Sequence, residues 1–321
     1  MQTQSSSVTG AASAHIAVAI VGYRNLHDVS ACVAALAKST HDDFEIVICE
    51  NGGGEAFAAL RAALPQTLPG GQRVTLIQAP GNGGFASGVN ICIAAAPQAD
   101  AWWILNPDTE AAPGAMAALT ARLAQGCDAA GGTLYFEDGR VQSRGGVWRA
   151  WLGRAQSIGH GEGRSAAPDT VDIERRLNYL SGASMLVGRR FLERAGPMRE
   201  DFFLYCEEVD WCLTARAHGL KLGFAAGAEV LHRQGTTTGT TQRQSTRSWL
   251  SVYLDERNKI LITRRHFPAR LPVAAAAALL LIALRYLRRG AIRQFGYGVS
   301  GWLAGLRGES GPPPSRAGRN G

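Results

Sequence analysis

Carboxylates lie at two places where this sequence predicts the end of a buried element. The first is Asp108, which follows the apolar run Trp102–Leu105 and the polar turn Asn106-Pro107. Because Pro107 lacks an N–H and restricts the residue before it, strand pairing is expected to stop there. Ligands of open α/β sheets bind at the carboxyl ends of strands, and a carboxylate at that edge suits Mg²⁺ or Mn²⁺ carrying nucleotide phosphates. The alternative interpretation is that Asp108 caps the helix beginning near Pro113.

The second group, Glu207, Glu208 and Asp210, lies at a predicted junction between loop and helix, after the aromatic segment Phe202–Tyr205. The helix dipole favours acidic side chains in a first turn, which explains one or two of them without any function. The aromatic segment is expected to be buried, so the carboxylates are expected at the mouth of a pocket. A partly desolvated carboxylate has a raised pKa and suits a general base.

A glycine-rich loop, Gly81–Gly88, joins a predicted strand to a helix and contains the pattern GxGxxA. The pattern is similar to a dinucleotide fingerprint, but that fingerprint follows the first strand of its fold, whereas this loop follows the third. The glycines also allow backbone amides to approach an anionic ligand at a helix N-terminus. The loop therefore indicates ligand binding without deciding its chemistry.

The elements that must position these residues alternate regularly at first. Four apolar runs each precede a polar or glycine-rich loop, and these predicted strands are Ile16–Val21, Phe44–Cys49, Val74–Gln78 and Trp102–Leu105. Alternation of strands with helices predicts a parallel sheet with helices on both faces. The four loops are therefore expected to converge on one edge of the sheet.

The alternation loosens after Asp108. An alanine-rich helix is predicted over Pro113–Gln125, and Asp138-Gly139 indicates a hairpin between two short strands. Residues 144–176 are rich in Gly, Arg and Ser and are expected to form a mobile excursion. The remaining predicted elements are a strand over Tyr179–Val187, a helix over Arg189–Ala195, a helix that Gly219 ends, and strands over Leu222–Ala225 and Glu229–His232.

Charge and cysteine content restrict the classes of partner. The chain has a net charge of +7, and the segment Arg257–Arg307 holds ten Lys and Arg but no Asp or Glu. A local excess of this kind predicts an anionic partner such as a membrane surface, and no nucleic-acid-binding motif is present. The six cysteines form no CxxC pair and mostly lie in apolar runs, as in a reducing compartment.

One apolar segment near the C-terminus, Pro272–Leu287, is shorter than the roughly 20 residues that span a bilayer. Arginines flank it on both sides: Arg264, Arg265, Arg270, Arg285, Arg288 and Arg289. This arrangement favours a helix lying in the membrane interface. A buried core helix and a single span are the alternatives.

Eight segments together carry a resemblance to a known family: IVGYRN (Ile20–Asn25), CEN (Cys49–Asn51), GNGGFASGVN (Gly81–Asn90), LNPDT (Leu105–Thr109), SGASMLVGRRFLERAG (Ser181–Gly196), FFLYCEEVDWCLTARAHG (Phe202–Gly219), VLH (Val230–His232) and RNKILITRRHFP (Arg257–Pro268). In this order they resemble the inverting glycosyltransferase family 2, most closely its rhamnosyltransferase-like branch. The resemblance implies an α/β GT-A fold, which is Rossmann-like, with a mostly parallel central sheet and helices on both faces. A C-terminal amphipathic or apolar helical extension would follow it.

The resemblance implies roles for matching positions. The donor nucleotide would be held by Tyr23, Asn25, Glu50, Asn82, Gly83, Phe85, Asn90, Asn106 and Asp108. Asp108 would bind Mg²⁺ or Mn²⁺, and His232, although a lone histidine is more often structural, would be a further metal ligand. Glu208 matches the catalytic base, with Glu207 or Asp210 orienting the base or the acceptor. Glu208 stands where Asp is usual, Glu50 where Asp is common, and Asn106 at the first carboxylate of the family's Asp-x-Asp signature.

Four regions are expected: a disordered tail over 1–14, a GT-A domain over 15–245, a helical membrane-associating region over 246–307 and a disordered tail over 308–321. The expected reaction is the inverting, metal-dependent transfer of a sugar to a lipid-linked or cell-envelope saccharide. The expected donor is a dTDP- or UDP-sugar, in particular dTDP-rhamnose. The expected location is the cytoplasmic face of the plasma membrane, with a soluble cytoplasmic enzyme as the alternative. Two other functions stay open, an oxidoreductase that binds NAD(P) at Gly81–Ala86 and a non-catalytic, membrane-associated nucleotide-sugar-binding protein.

Overall fold

Residues 16–105 form the predicted alternation of strands and helices. The structure, a computed structural model, describes residues 14–164, 167–233 and 246–313. Its first elements are β1 (Ile16–Gly22), α1 (Leu26–Leu36), β2 (Phe44–Glu50), α2 (Gly54–Ala63), β3 (Val74–Gln78), α3 (Phe85–Ala95) and β4 (Ala101–Leu105). β1 pairs in parallel with β2 and with β4, and β2 pairs in parallel with β3. The four loops after these strands therefore lie along one edge of the sheet, as predicted.

The second half of the sheet is mixed. Its elements are β5 (Thr109–Ala111), α4 (Ala115–Ala124), β6 (Ala129–Tyr135), β7 (Val141–Ser143), β8 (Gly146–Arg149), β9 (Arg154–Ser157), α5 (Thr170–Arg176), β10 (Ser184–Gly188), α6 (Arg189–Ala195), α7 (Glu207–Ala217) and β11 (Leu222–His232). The nine-stranded sheet has the order β3-β2-β1-β4-β10-β6-β11-β5, with β7 beside β6. β10 runs antiparallel to β4 and to β6, whereas β6 and β11 are parallel. The predicted mostly parallel α/β sheet is confirmed, with β10 as a reversed central strand.

The expected mobile excursion over 144–176 is wrong for its described residues. They contain the hairpin β8–β9 and helix α5. The glycines that made this stretch look like a loop are needed for close packing: a Cβ on Gly146 would lie 2.2 Å from the Tyr179 ring. Gly145 has a φ of +78°, which glycine adopts at no steric cost.

The strand predicted over Tyr179–Val187 is shorter than expected and begins at Ser184. Tyr179 instead forms an isolated bridge with Gly146. β5 was not predicted, because the turn at Pro107 leads directly into three residues that pair with β11. The apolar pattern alone could not reveal so short an edge strand.

Three helices follow the sheet: α8 (Trp249–His266), α9 (Leu271–Tyr286) and α10 (Ile292–Arg307). α10 lies close along α8 because glycines of α10 face α8. A Cβ on Gly301 would lie 2.2 Å from the Tyr253 carbonyl oxygen, and one on Gly305 would lie 2.6 Å from that of Arg257. The three helices therefore form one layer, in which the backbones of α8 and α10 lie close together.

The expected tails lie mostly outside the described residues. Residues 308–313 of the C-terminal tail are described, and there Gly311 contacts the folded chain. Its carbonyl oxygen accepts a hydrogen bond from Arg257 Nη1 at 2.8 Å. Its N–H donates to the Asp201 carbonyl oxygen at 2.5 Å.

Gly301→Ala should destabilise the protein by about 1–3 kcal/mol, because the added methyl group overpacks the contact between α10 and α8. Gly296 is the matched control, since it is exposed on the same helix with no atom near its Cβ position. Gly296→Ala should stabilise by about 0.5–1 kcal/mol. Urea unfolding of both variants measures the two effects. Equal stability of Gly301→Ala and wild type would contradict the close packing of α10.

Candidate active site

The ends of β1 and β2 form a buried carboxylate pocket around Glu50. Glu50 is fully buried, and its Oε1 accepts hydrogen bonds from the backbone N–H groups of Arg24, at 3.0 Å, and Gly52, at 2.7 Å. Its Oε2 has no hydrogen-bond partner within the described residues. A buried carboxylate oxygen without a donor is costly, so a ligand hydroxyl or N–H group would complete it.

Tyr23 and Asn25 form the turn in front of this pocket. The Asn25 Oδ1 accepts a hydrogen bond from the Tyr23 N–H at 3.0 Å and so fixes the turn. The Tyr23 ring is 39% exposed beside the buried Glu50, which leaves its face accessible to a planar ligand. The two predicted residues are therefore next to Glu50, Asn25 as a support and Tyr23 as an accessible surface.

The glycine-rich loop after β3 lies against the same pocket. The Asn51 side-chain amide donates to the Gly84 carbonyl oxygen at 2.8 Å, and the Asn82 Oδ1 accepts from the Gly84 N–H at 3.1 Å. Gly83 precedes this turn and is half-buried. The Phe85 N–H, at the start of α3, donates to the Phe203 carbonyl oxygen at 2.9 Å. The loop is thus held on one side by the end of β2 and on the other by the segment before α7.

Asp108 and His232 meet at the far side of this edge. His232 Nε2 lies 3.2 Å from Asp108 Oδ1, and both side chains are about nine-tenths buried. On the other ring nitrogen, His232 Nδ1 lies 2.7 Å from Gln142 Oε1, on β7. When Nδ1 carries the proton to Gln142, Nε2 and Asp108 Oδ1 are two electron-pair donors in contact. Such a contact is favourable with a cation between them.

These residues fit a divalent metal. A carboxylate oxygen with an imidazole nitrogen suits Mn²⁺, and a carboxylate alone suits Mg²⁺. In the described part of the chain no three His, Cys, Asp or Glu residues group as metal ligands. A metal held by Asp108 and His232 would therefore take its other ligands from a diphosphate and from water.

The carboxylate pair Glu207 and Glu208 begins helix α7. Glu207 is buried, its Oε2 has no partner within the described residues, and burial together with the Glu208 charge raises its pKa well above the usual range. Glu208 is half-buried, and burial raises its pKa to about 7. A carboxylate with that pKa changes protonation state near neutral pH and suits a general base.

Contacts join Glu208 to the turn that carries Asp108. A Cβ on Gly182 would lie 3.3 Å from the Glu208 Cβ, so that glycine and Glu208 are packed together. The next residue, Ala183, accepts a hydrogen bond at its carbonyl oxygen from the Asn106 N–H at 3.0 Å. Glu208 and the turn that carries Asn106 and Asp108 are therefore separated by only one short segment of backbone.

Comparison with known proteins decides the family. The profile of "Glycosyltransferase like family 2" matches residues 13–251, most of the chain. The protein belongs to this family. The sequence-based assignment to family 2 is thereby confirmed.

Individual relatives are distant. The chain is 26% identical over 232 residues to an N-acetylglucosaminyl-diphospho-decaprenol L-rhamnosyltransferase of Mycobacterium tuberculosis, covering 64% of this chain and 72% of the relative. It is 24% identical over 153 residues to a low-salt glycan biosynthesis hexosyltransferase, Agl10, of Haloferax volcanii, covering 46% of this chain. The match spans about half, 48%, of the length of that hexosyltransferase.

The fold is shared with a solved structure of GalNAc-T7 with UDP, GalNAc and Mn²⁺. The TM-score is 0.62 at 14% identity, and the alignment covers 91% of this chain and 57% of the other. At that identity the likeness establishes the fold, and the predicted GT-A architecture is confirmed.

Two predicted site residues of this glycosyltransferase have their polar atoms in other contacts. Asp210 is buried and its Oδ1 lies 2.7 Å from His266 Nε2 and 3.2 Å from Arg265 Nε, so its carboxylate connects α7 to the end of α8. The Asn90 amide donates to the Met198 carbonyl oxygen at 2.8 Å and to the Glu200 carboxylate at 2.9 Å. Asn90 also accepts from the Met198 N–H at 3.0 Å. Both are therefore better described as structural residues than as ligand contacts.

The sequence analysis missed two supporting residues, Asn51 and Gln142. Asn51 directly follows Glu50 at a strand end, and this position is a signal that could have identified it. Gln142 lies on a three-residue strand, and nothing in the sequence connects it to His232, which is ninety residues away.

Glu207→Gln should stabilise the glycosyltransferase at alkaline pH. Because the folded state raises the Glu207 pKa, the stabilisation from this group is complete below the unfolded pKa of about 4.5 and is lost as the pH rises through the folded pKa. The neutral amide removes that loss. The melting temperature of Glu207→Gln should therefore exceed that of wild type by a margin that grows from pH 5 to pH 9, at about 2–4 °C for each kcal/mol of stability that wild type loses. Glu193→Gln, on the exposed side of α6, is the control and should show a constant difference. A Glu207→Gln advantage that does not change with pH would contradict the burial of an ionisable Glu207.

Proposed function

We propose that this protein transfers a sugar from a nucleotide diphosphate donor to a saccharide acceptor with inversion of configuration. The observation that carries the proposal is the Glu207–Glu208 pair at the start of α7, one buried and one half-buried, linked by backbone contacts to both the Glu50 pocket and the Asp108–His232 pair. A general base, a nucleoside pocket and a metal-binding pair along one edge are the parts that this transfer requires. Family membership supports the same reaction class.

In the proposed donor complex, Glu50 Oε2 accepts a hydrogen bond from the nucleoside, and Tyr23 contacts its planar base. Asn82, Gly83 and Phe85 border the base, and Asn106 lies beside the diphosphate. A metal ion bound by Asp108 and His232 would neutralise the diphosphate leaving group.

Glu208 is the proposed catalytic base. Its carboxylate takes the proton from an acceptor hydroxyl while that oxygen attacks the anomeric carbon. The bond from the anomeric carbon to the diphosphate oxygen breaks in the same step, and the nucleoside diphosphate leaves. One displacement with attack opposite the leaving group inverts the anomeric centre. Glu207 keeps a second carboxyl group beside the base, and the Glu208 charge adds to burial in raising the Glu207 pKa.

For the donor and acceptor we propose dTDP-rhamnose and a lipid-linked or cell-envelope saccharide. The support is the M. tuberculosis relative, whose name describes L-rhamnosyl transfer to an N-acetylglucosaminyl-diphospho-decaprenol. The Haloferax relative is named as a glycan biosynthesis hexosyltransferase. Oxidoreduction with NAD(P) is not favoured, because the Gly81–Ala86 loop follows β3 and contacts Phe203 rather than opening the fold at β1.

A panel of sugar nucleotides with Mn²⁺ or Mg²⁺ tests this function. Wild type should release nucleoside diphosphate from dTDP-rhamnose, and its rate should rise about tenfold per pH unit up to a plateau above about pH 7, where Glu208 is ionised. Glu208→Gln should lower the rate by about 10²–10⁴-fold with little change in donor affinity.

Two outcomes would overturn the proposal. Failure of every donor to be hydrolysed or transferred by the folded wild type, with nucleotide binding intact, would favour the non-catalytic binding protein. Near-normal turnover of Glu208→Gln would remove Glu208 as the base.

We further propose that the enzyme binds an anionic membrane surface through one apolar face. The apolar face consists of Val273, Leu280, Leu284 and Leu287 on α9, with Ile292 and the β8–β9 turn residues Trp151 and Leu152. Each of these side chains is at least a third exposed. The Arg270 guanidinium lies 4.9 Å from the Trp151 ring and so joins the turn to α9. Exposed arginines, among them Arg288, Arg289 and Arg293, border the face and complement anionic lipid head groups.

Contacts on the other side of α9 favour a helix that lies on the membrane. By length and composition, the segment Pro268–Arg289 is the one described helix that could cross a membrane. Its inner side packs on α8, however, and Arg285 Nη1 lies 3.1 Å from Glu256 Oε1, in a buried ion-pair network. A span would have to break that pair and carry Arg285 into hydrocarbon, which is costly. The proposed location is therefore peripheral, at the cytoplasmic face of the plasma membrane.

Co-sedimentation with vesicles tests the apolar face. The protein should bind phosphatidylglycerol vesicles more strongly than phosphatidylcholine vesicles and should dissociate as salt is added. Leu280→Asp should weaken this binding. Val171→Asp, at an 80% exposed position of α5, should leave it unchanged. Equal binding of Leu280→Asp and wild type would contradict the assignment of this face.

A further inference from the structure

A backbone segment with unusual geometry precedes the proposed base. Phe203, Tyr205 and Cys206 have φ values of 65°, 72° and 71°, in the left-handed region that residues with a Cβ rarely adopt. Such a conformation persists only where the surrounding structure determines it, and it is concentrated at functional sites. The contacts that hold this segment therefore indicate what positions the site.

Two consecutive residues of α8 hold the segment. Asn258 is fully buried, and its side-chain amide donates to the carbonyl oxygens of Phe202 at 3.0 Å, Leu204 at 2.8 Å and Tyr205 at 2.8 Å. Arg257 is 1% exposed and donates from Nη2 to the same Phe202 carbonyl oxygen at 2.9 Å. Its Nε donates to Asn258 Oδ1 at 2.9 Å, which fixes the amide orientation. The Leu204 N–H also donates to the Phe202 carbonyl oxygen at 2.8 Å. The side chains of α8 supply donors to all three carbonyl groups.

The held segment contacts both halves of the site. The Phe203 carbonyl oxygen accepts the Phe85 N–H, at the donor loop. A Cβ on Gly84 would lie 2.0 Å from that same oxygen. The two backbones are therefore in contact and leave no room for a side chain at position 84. At its other end, Cys206 leads directly into α7, whose second residue is Glu208. A shift of the segment therefore moves the base relative to the donor loop.

We infer that Arg257 and Asn258 are positioning residues that set the placement of Glu208 relative to the donor. The inference rests on the proposed function, since it assigns these two α8 residues a role in that same transfer. In-line attack requires the base and the anomeric carbon in one geometry, and a misplacement of about 1 Å costs on the order of 10²-fold in rate. The C-terminal helices are then a part of the catalytic unit as well as of the membrane-facing layer.

Asn258→Ala tests the inference, with Ile262→Val as a control. Ile262 is a fully buried α8 residue that contacts the hydrophobic core and has no bond to the segment. Asn258→Ala should lower kcat by on the order of 10²-fold with a much smaller change in the donor KM. The control should lose comparable stability with kcat nearly unchanged. If Asn258→Ala shows no cooperative unfolding transition, Arg257→Lys, which cannot form the same fork, is measured in its place.

A double variant separates positioning from a general structural defect. In a Glu208→Gln background, Asn258→Ala should have almost no further effect on kcat, because the residue acts through the base. The acid limb of the kcat–pH profile of Asn258→Ala should also move to lower pH as Glu208 becomes more solvated. An unchanged pH profile, or an undiminished effect of Asn258→Ala without the Glu208 carboxylate, would overturn the inference.

Hydrogen exchange provides a readout without turnover. The Phe85 amide should exchange faster in Asn258→Ala than in wild type and in Ile262→Val, because its acceptor, the Phe203 carbonyl, is released. Unchanged protection would overturn the inference even if transfer is found. Faster exchange together with a wild type that transfers no sugar would refute the proposed reaction but support the link between α8 and the donor loop.

Discussion

The site depends on one backbone hydrogen bond, from the Phe85 N–H to the Phe203 carbonyl oxygen. It joins the sheet edge, at which the proposed nucleoside pocket lies, to the segment that leads to the proposed base. The bond requires glycine at position 84, where any side chain would overlap the Phe203 carbonyl. It also requires Phe203 in a left-handed conformation, which the α8 residue Asn258 stabilises. Sequence features that look unrelated therefore serve one contact.

The carboxylates in the two halves of the site lie in different environments. At the Glu50 pocket, backbone N–H groups stabilise one carboxylate oxygen, and the other, which has no partner within the described residues, is the proposed acceptor for a ligand. At the start of α7, burial raises the pKa of both Glu207 and Glu208. A carboxylate held by backbone N–H groups suits binding, and one that exchanges a proton near neutral pH suits a base. The division of labour follows from local environment, since all three residues are glutamates.

Much of the fold could be predicted from the sequence, because each apolar strand and the loop after it are marked by the types of neighbouring residues. The four apolar strands and the glycine-rich loop after the third were placed correctly, and with them the edge at which Glu50 and Asp108 lie. What the sequence did not reveal depends on contacts between distant segments. Examples are Gln142 beside His232, and Asn258 beside the carbonyl groups of Phe202, Leu204 and Tyr205. Asp210 was grouped with its acidic neighbours, although in the helix it points to His266 on α8.

Anomalous diffraction at the manganese edge would show whether the carboxyl ends of the strands bind a metal-bound nucleotide. Crystals grown with a nucleoside diphosphate and Mn²⁺ should show one anomalous peak within coordination distance, about 2.0–2.3 Å, of both Asp108 and His232 Nε2. The nucleoside should donate a hydrogen bond to Glu50 Oε2. A peak away from Asp108 and His232, or a nucleotide bound outside the Glu50 pocket, would contradict the account.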